Sequence, residues 1–344
     1  MGAAYPDIGF TFGADGPFTF TPMLNLTLSL SFATAAGSAD PKIVNGSASS
    51  DFPSTVALGA DMGDDVFSAC TGNVITPRIV LTAAHCGADV PLDVIVALGQ
   101  AFFGAEASDA DYAVSFSDMA VHPDYTDIDS GGGMPRNDVA VLVLAEDAPV
   151  AATWIRLEKL GDDELGAQVT SVGFGATSSA GNGSGTKRQA DLTVDDYEQG
   201  FIISYSDTNP DGGQICSGDS GGPMFHLDDD GEWVQWGIHS WGDQDCTQVS
   251  GSTRVGKQVD FILEQVEFVH GTTDLCEING RYGDGVCDER CDLEDSDCVI
   301  EEIDSGLDTD LDPDEPRRFG NCATAPGAPW LMGLAGLLFL RRRD

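Results

Sequence analysis

The segment Cys216-Ser217-Gly218-Asp219-Ser220-Gly221-Gly222-Pro223 surrounds one serine with glycines. Glycine tolerates backbone angles that other residues avoid, so this segment can form a tight turn that leaves the Ser220 hydroxyl exposed. Backbone N–H groups that converge in such a turn can stabilise a developing oxyanion, and an exposed hydroxyl can act as a nucleophile. The segment therefore indicates a nucleophilic serine.

Two other segments supply a base and a carboxylate for this serine. His85 ends the run Leu81-Thr82-Ala83-Ala84-His85, and Asp138 lies directly before the apolar run Val139–Leu144. Because histidine titrates at about pH 6.5, it can remove the proton of a serine hydroxyl at neutral pH. The other histidines lie in no such segment and are interpreted as surface or core residues: His122, His226, His239 and His270.

Short β-rich runs bounded by Gly, Pro and Asp recur from Ile43 to about His270. Regular short strands separated by turn residues favour barrels or a sandwich. One of these runs, Val94–Leu98, is predicted as a strand because it is rich in β-branched residues. Convincing helical spacing occurs in Val259–Val266, near the end of the β-rich region.

These segments, together with Ile43-Val44-Asn45-Gly46, resemble the trypsin/chymotrypsin family of serine proteases over residues 43–270. The resemblance implies an all-β fold of two six-stranded antiparallel barrels with a C-terminal helix. It also implies a serine endopeptidase that hydrolyses protein or peptide substrates through an acyl-enzyme and requires no cofactor. The alternative is a catalytically silent surface protein that uses the scaffold for adhesion or binding. A non-peptide esterase would share the same three reactive residues.

The resemblance also assigns roles to individual residues. Ser220 is expected to be the nucleophile, and His85 the base that later returns the proton to the leaving amine. Asp138 is expected to hold the imidazole in the required tautomer and to stabilise its charged form. The N–H groups of Gly218 and Ser220 are expected to form the oxyanion hole.

The bond Lys42-Ile43 is the expected activation site. In the family, cleavage before this isoleucine frees an α-amino group that pairs with the aspartate preceding the catalytic serine, here Asp219. A buried carboxylate requires such a partner because an unpaired buried charge costs several kcal/mol. The resemblance therefore implies a zymogen and an activating protease as a partner.

Specificity is expected to depend on a pocket whose base is neutral. Counting back from Ser220, the resemblance assigns the base to Gln214, where the trypsin branch carries an aspartate. Without a carboxylate to compensate a buried Arg or Lys, cleavage after basic residues is predicted to be poor, so a different protease would cut after Lys42. The remaining predicted substrate-binding residues are Ile215, Ser240, Trp241, Gly242 and Gly251.

Composition excludes several classes of protein. The 344-residue chain carries 16 Lys+Arg against 57 Asp+Glu, a formal net charge of −41. Such a charge repels phosphate and argues against nucleic-acid binding. Hydrophobic residues make up 42% of the chain, which is enough for a real core. No apolar run reaches the length of about 18 residues that indicates a membrane-spanning helix, so a polytopic membrane protein is excluded.

Cysteine usage indicates an extracytoplasmic protein. The chain has nine cysteines without the spacing of a zinc site, so a disulfide framework with one cysteine left over is the better interpretation. The resemblance implies the pairs Cys70–Cys86 and Cys216–Cys246. Pairing within residues 276–298 is left open among Cys276, Cys287, Cys291 and Cys298.

Residues 276–298 form a compact cysteine-rich module that is partly similar to Notch-type repeats, with four cysteines instead of six. Notch-type repeats bind calcium, and carboxylates are the hard oxygen ligands that calcium prefers. The alternative is a two-disulfide spacer with solvated carboxylates. The candidate calcium ligands are Asp284, Asp288, Asp295 and Asp297.

The two ends of the chain are interpreted as processing and sorting segments. Residues 1–42 contain an apolar stretch followed by small residues, typical of a signal peptide but without its basic start; a disordered N-terminus is the alternative. Residues 299–320 are an acidic linker. Residues 321–344 hold Cys322, a short apolar run and three arginines, and resemble myxobacterial-type (MYXO-CTERM) sorting signals. Sorting machinery would then anchor the protein at the cell surface through Cys322; an uncleaved marginal anchor is the alternative.

Overall fold

Short β-strands are the main regular secondary structure of the described residues. The computed structural model describes Ile43 and residues 46–63, 65–127 and 134–298. The predicted leader 1–42, linker 299–320 and tail 321–344 lie outside these described residues. The strands are β1 Ser47–Ala48, β2 Thr55–Asp61, β3 Val66–Thr76, β4 Ile79–Thr82, β5 Gly99–Phe103, β6 Tyr112–Val121, β7 Ala140–Leu144, β8 Trp154–Ile155, β9 Gln168–Gly173, β10 Arg188–Thr193, β11 Asp196–Glu198, β12 Phe201–Tyr205, β13 Pro223–Leu227, β14 Trp233–Gly242 and β15 Val249–Arg254.

The first half of the fold is a closed barrel. Its six strands follow the order β2-β3-β4-β7-β6-β5, and all neighbours are antiparallel. Closure pairs every strand on both sides and leaves no open sheet edge. Apolar side chains that alternate along the strands fill the interior: Val56, Leu58, Val74, Val80, Ala101, Phe103, Val114, Phe116, Leu142 and Leu144.

The second half is an open sheet of nine strands rather than a second closed barrel. Eight of its strands follow the order β1-β10-β9-β13-β14-β15-β12-β11, and β8 pairs with β14. The prediction of two six-stranded barrels is therefore confirmed for the first half only. Where β10 approaches β12, side chains take the place of a strand ladder. Thr193 N donates to Asn209 Oδ1 (2.9 Å), and Thr193 O accepts from Ser204 Oγ (2.6 Å).

The predicted strand at Val94–Leu98 is wrong, because this segment belongs to helix α1, Leu92–Leu98. A short apolar run does not by itself distinguish a strand from a helix. Pro91 lies at the helix start with φ −56°, an angle that suits a first helical turn. The side chains of Ile95 and Met119 both lie against Gly87: a Cβ at this glycine would be 3.3 Å from Ile95 Cδ1 and 2.6 Å from Met119 Sδ. Pro91 at the helix start and this packing contact thus outweigh the β-propensity of the segment.

Two further helices follow the sheet. Helix α2 covers Val259–His270 and confirms the predicted helix at 259–266, with one more turn. Helix α3 covers Leu275–Asn279. Asp274 caps its N-terminus, because its Oδ1 accepts hydrogen bonds from Cys276 N and Glu277 N. Of the helices that the structure describes, none combines the length and apolar character needed to cross a membrane.

The cysteine-rich module shares a hydrophobic core with the barrel and the sheet. Leu275 and Cys276 are buried in the same cluster as Ile75 of the barrel and Trp154 of the sheet. Two disulfides, Cys276–Cys291 and Cys287–Cys298, close the module and settle the pairing that the sequence left open. The module is thus packed into the protein rather than attached as a separate unit.

Arginines of the module extend this contact to polar groups of the sheet. The Arg281 guanidinium lies 4.1 Å from the centre of the Trp154 ring, close enough for a cation–π interaction. Arg290 forms ion pairs with Asp228 (2.7 Å) and Asp230 (2.5 Å). These contacts fix the module against β8 and against the segment between β13 and β14.

Replacing Cys276 and Cys291 together with serine tests whether the module stabilises the whole molecule. A disulfide contributes about 2–4 kcal/mol. Because Cys276 is buried in the shared core, we expect the whole molecule to melt several degrees lower in one transition. Differential scanning calorimetry checks this. Serine at both Cys287 and Cys298 is the matched control and should have a smaller effect, since Cys287 is exposed. An unchanged main transition in the first variant would contradict the shared core.

Candidate active site

The serine turn is pressed between the barrel and the sheet. Gly218 and Gly221 have positive φ values of 96° and 81°, as the glycine-rich sequence requires. A Cβ at Gly221 would lie 2.0 Å from Thr82 Oγ1 and 2.4 Å from Thr71 O, so no larger residue fits there. Local sequence therefore permits the turn, and close packing against the barrel requires it.

Asp138 and His85 form the polar pair opposite this turn. The Asp138 carboxylate is fully buried and accepts three hydrogen bonds, from the His85 backbone N–H (3.0 Å), His85 Nδ1 (2.8 Å) and the Ser240 hydroxyl. Because the carboxylate accepts from Nδ1, neutral His85 carries its proton there and keeps a lone pair on Nε2. The tautomer needed in a general base is thus set by the carboxylate.

The charge of Asp138 also controls the titration of His85. Burial by itself lowers the pKa of the imidazole, but the hydrogen bond from Nδ1 and the negative charge of Asp138 outweigh burial and raise that pKa above its usual 6.5. The nearby charge of Asp127 adds to this effect. A stabilised imidazolium makes His85 a stronger base for a proton on a neighbouring hydroxyl.

One cleft exposes His85 and Ser220 to solvent. It has a volume of about 540 Å³ and is lined by both His85 and Ser220. Tyr125 and Asp127 line the side that belongs to the barrel. Four of the residues predicted to bind substrate also line the cleft: Ile215, Ser240, Trp241 and Gly242.

Thr71 is a supporting residue that the sequence analysis missed. Its backbone N–H donates to Ser220 O (2.8 Å), and its hydroxyl donates to Gly218 O (2.8 Å) while accepting from Phe174 N (3.0 Å). Thr82 in turn donates to Thr71 O (2.9 Å). A threonine in a strand is ordinary, so no signal in the sequence marks this role.

Two disulfides brace the site and have the pairing that the resemblance implied. Cys70 is joined to Cys86, directly after His85, and the Cys86 sulfur lies 3.6 Å from Ser220 O. Cys216 is joined to Cys246 and ties the start of the serine turn to the segment after β14. The segments that carry His85 and Ser220 are thus each held by a disulfide near the cleft.

Comparison with known proteins identifies the family. The family model described as Trypsin matches residues 43–262, more than half of the chain. The chain belongs to the trypsin family. It is 31% identical over 231 residues to "Trypsin" of Saccharopolyspora erythraea, covering 63% of this chain and 93% of the relative. It is 30% identical over 233 residues to "Trypsin-like protease" of Streptomyces glaucescens, covering 62% and 78%.

A third relative, "Trypsin, alkaline C" of Manduca sexta, is 31% identical over 240 residues, covering 63% of this chain and 88% of the relative. The trypsin-family chain is therefore a hydrolase of the serine endopeptidase class.

The structure separates the predicted pocket residues of this trypsin-family protein into two groups. Gln214 does not line the cleft, although its chain neighbour Ile215 does; it is fully buried, and its Nε2 donates to Ser204 O (3.0 Å). Gln214 Oε1 has no hydrogen-bond partner among the described residues. Position 214 thus carries an uncharged amide where the trypsin branch carries an aspartate.

Gly251 is also absent from the cleft lining. A Cβ on Gly251 would lie 2.2 Å from Trp241 Cε2, so this glycine makes room for the tryptophan ring. Its neighbour Ser250 pairs with Gly242 across β14 and β15. Ser250 rather than Gly251 therefore pairs with Gly242, and Gly251, which the sequence predicts to bind substrate, lies one residue further along β15 and pairs with Trp241.

Asp219 lies beneath the serine turn and is completely buried. Its Oδ1 accepts from Gly175 N (2.8 Å) and its Oδ2 from Cys216 N (2.8 Å). Burial raises the pKa of the carboxyl to about 7, against the two hydrogen bonds and the charge of Arg188, which lower it. Ile43, its expected partner, is also completely buried.

The candidate calcium ligands of the module do not form a ready cage. Asp295 uses both oxygens to accept backbone N–H groups of Gly283, Asp288 and Asp297. Of these four carboxylates, only Asp288 has a buried oxygen, Oδ2, without a hydrogen-bond partner among the described residues. Across those residues, no three carboxylates bring oxygens within 4.8 Å of one another. Calcium binding stays a prediction.

The raised pKa of Asp219 predicts how stability changes with pH before activation. The folded-state pKa of about 7 exceeds the ordinary 3.8, so folding takes up a proton between these values. The stabilisation that this proton uptake provides is complete below pH 3.8 and is lost as the pH rises through about 7. In the uncut Ser220→Ala chain, we expect the free energy of unfolding to fall by about 4 kcal/mol from this group across that window.

Urea denaturation at a series of pH values measures this fall. Asp219→Asn should remove it. Asp243→Asn is the matched control at the cleft rim and should keep it, because backbone N–H groups hold the pKa of Asp243 below its usual value. An identical pH dependence with and without the Asp219 carboxyl would refute the raised pKa.

Proposed function

We propose that His85, Asp138 and Ser220 are the catalytic residues of this endopeptidase. The observation that carries the proposal is the His85–Asp138 pair in the same cleft as Ser220. Ser220 Oγ attacks the carbonyl carbon of the scissile peptide while His85 Nε2 takes the hydroxyl proton. Asp138 stabilises the imidazolium that forms. His85 then gives the proton to the leaving amine, and water hydrolyses the acyl-enzyme by the same route.

The oxyanion of each tetrahedral intermediate is proposed to lie against the N–H groups of Gly218 and Ser220. Losing one such donor typically costs about 2.7–4 kcal/mol of transition-state stabilisation. The contacts of Thr71 with Gly218 O and Ser220 O support this role, because they hold the peptide groups that directly follow these two N–H donors. Substrate backbone is proposed to pair with Ser240–Gly242 as an added strand.

Labelling by a fluorophosphonate probe tests the catalytic assignment. The protein cut after Lys42 should react stoichiometrically at Ser220, and Ser220→Ala should not react. Ser179→Ala, which removes an exposed serine, is the control and should react fully. Because His85 must be neutral to act as a base, the labelling rate should rise with pH through a midpoint above 6.5.

Absence of labelling in a folded protein with Ile43 as its first residue would contradict the assignment. The catalytically silent binding protein would then be the better description. Labelling without cleavage of any peptide, but with hydrolysis of small esters, would favour the esterase.

We also propose a primary specificity for uncharged residues. Support comes from Gln214, an uncharged residue buried next to the cleft-lining Ile215, because a buried Arg or Lys side chain would need a carboxylate to compensate its charge. Cleavage of a panel of chromogenic peptides should therefore be slow after Arg and Lys.

Gln214→Asp should raise the relative rate after Arg or Lys at least tenfold. Gln244→Asp adds the same charge at the rim of the cleft and is the matched control, with a smaller effect expected. Fast cleavage after basic residues by the unmodified protein would overturn the proposal.

Activation is proposed to follow a cut between Lys42 and Ile43 by a protease of different specificity. The new α-ammonium group of Ile43 would pair with Asp219, whose carboxyl otherwise has backbone partners and a raised pKa. Cutting should therefore lower the pKa of Asp219 and abolish the pH dependence described above. Ile43→Gly should sharply reduce the activity of the cut protein; an unchanged rate would exclude this mechanism.

Export is proposed for the location of the protein, since four disulfides among the described residues suit an oxidising compartment. Attachment through Cys322 by sorting machinery is the accompanying proposal, and mass spectrometry of the mature C-terminus tests it. Calcium in the cysteine-rich module is proposed on the unpartnered Asp288 oxygen. An unchanged melting temperature in millimolar calcium would remove that proposal.

A further inference from the structure

A second concave site lies next to Asp138 on the chain and shares no lining residue with the cleft. It has a volume of about 320 Å³ and lies where the start of α2 meets the turn between β11 and β12. Two lysines, Lys159 and Lys257, belong to its lining. The whole chain contains four lysines, so half of them line this one pocket.

A glycine brings the two lysines together. A Cβ at Gly256 would lie 2.0 Å from Glu158 O and 3.2 Å from Lys159 Cα. The segment that carries Lys159 therefore packs directly against the segment that carries Lys257. This approach depends on the missing side chain, because the obstructing atoms are backbone atoms that cannot move aside cheaply.

The positive charge of this pocket is not compensated within the protein. Neither Lys159 nor Lys257 forms an ion pair with a carboxylate in the part of the chain that the structure describes. The charge of Arg254 lies close enough, together with that of Lys159, to lower the pKa of Lys257, which burial lowers first. Asp260, in the first turn of α2, is exposed and is not part of the pocket lining. Like charges are thus held together in a chain with a net charge of −41.

The rest of the lining is uncharged: the polar side chains of Asn137, Gln199, Thr253 and Gln258, together with Gly200 and Phe201. The Gln199 side chain is exposed at the pocket, and Gln258 lies at the start of α2 without capping the helix. Helix N-termini favour anions because their first N–H groups lack partners within the helix. The Gln258 amide also donates to Asn137 Oδ1 (3.4 Å), and none of the first-turn residues of α2 lines the pocket. Two ammonium groups and the side chains of two glutamines therefore line one volume.

We infer that the pocket lined by Lys159, Lys257, Gln199 and Gln258 binds a tetrahedral oxyanion such as phosphate or sulfate. Two ammonium groups match the two negative charges of such an ion, and the volume admits it with part of its hydration shell. The inference goes beyond the proposed function and does not depend on it.

The bound ion would lie directly behind the catalytic aspartate. Asn137, which precedes Asp138, lines the pocket, and Thr253 lines it while donating to Asp138 O (3.1 Å). The site and the cleft therefore share one backbone segment without sharing a side chain.

Isothermal titration calorimetry on the full Ser220→Ala chain tests the site without proteolysis. Inorganic phosphate is titrated at pH 7.5 while sodium chloride keeps the ionic strength constant. We expect one saturable site, at least tenfold weaker binding in Lys257→Gln and in Lys159→Gln, and retained binding in Lys257→Arg. Arg78→Gln removes one positive charge at a separate surface and should bind like the parent. Separate titrations with glycerol phosphate distinguish a free anion from a phosphate carried on a larger ligand.

Two results would overturn the inference. One is the absence of saturable phosphate binding in the parent protein. The other is binding that Arg78→Gln weakens as much as the two lysine variants do, since net charge rather than the pocket would then be responsible. Melting temperatures of all variants show that each is folded, and Gly256→Ala provides a second test through the approach of the two lysines.

Discussion

The buried carboxylate of Asp138 is the interaction on which the two halves of this protein depend. Its hydrogen-bond donors come from both halves, with His85 on the barrel side and Ser240 on the sheet side. Thr253 of the sheet adds a hydrogen bond to the backbone of the same residue. An uncompensated buried charge costs several kcal/mol, so the barrel and the sheet must close together around it. The alignment of His85 is a consequence of that closure.

The serine turn obeys a second constraint of the same kind. Gly221 leaves no space for a side chain against Thr82, and Asp219 fills the space that glycine leaves at position 173, where a Cβ would lie 2.1 Å from its carboxylate oxygen. Thr71 satisfies the outward carbonyl groups of the turn. The turn is therefore shaped by what surrounds it as much as by its own glycines. A segment so rich in glycine can adopt many backbone conformations, and the tertiary contacts select one of them.

The sequence predicts what is local and misses what depends on distant contacts. The pairing of His85 with Asp138, two disulfides and helix α2 are each predicted from a short motif or a regular spacing, and the structure contains them. The strand predicted at Val94–Leu98 is a helix because its environment, not its propensity, decides. The open second sheet and the position of Gly251, one residue beyond the partner of Gly242, reflect strand pairing, which composition does not encode. The docking of the cysteine-rich module rests on contacts such as Arg281 with Trp154, far apart in sequence.

The distribution of the few cations follows from the large negative charge. In a chain with 57 acidic residues, an exposed lysine or arginine would be screened on every side and would contribute little to stability. Arg290 instead joins the module to the sheet, and Arg188 places a positive charge near Asp219. Lys187 is buried, with its ammonium 3.0 Å from Phe52 O. Lys159 and Lys257 are the exception, because both are exposed and neither forms an ion pair with a carboxylate among the described residues. The mutual repulsion of these two lysines is the cost that the inferred anion would offset.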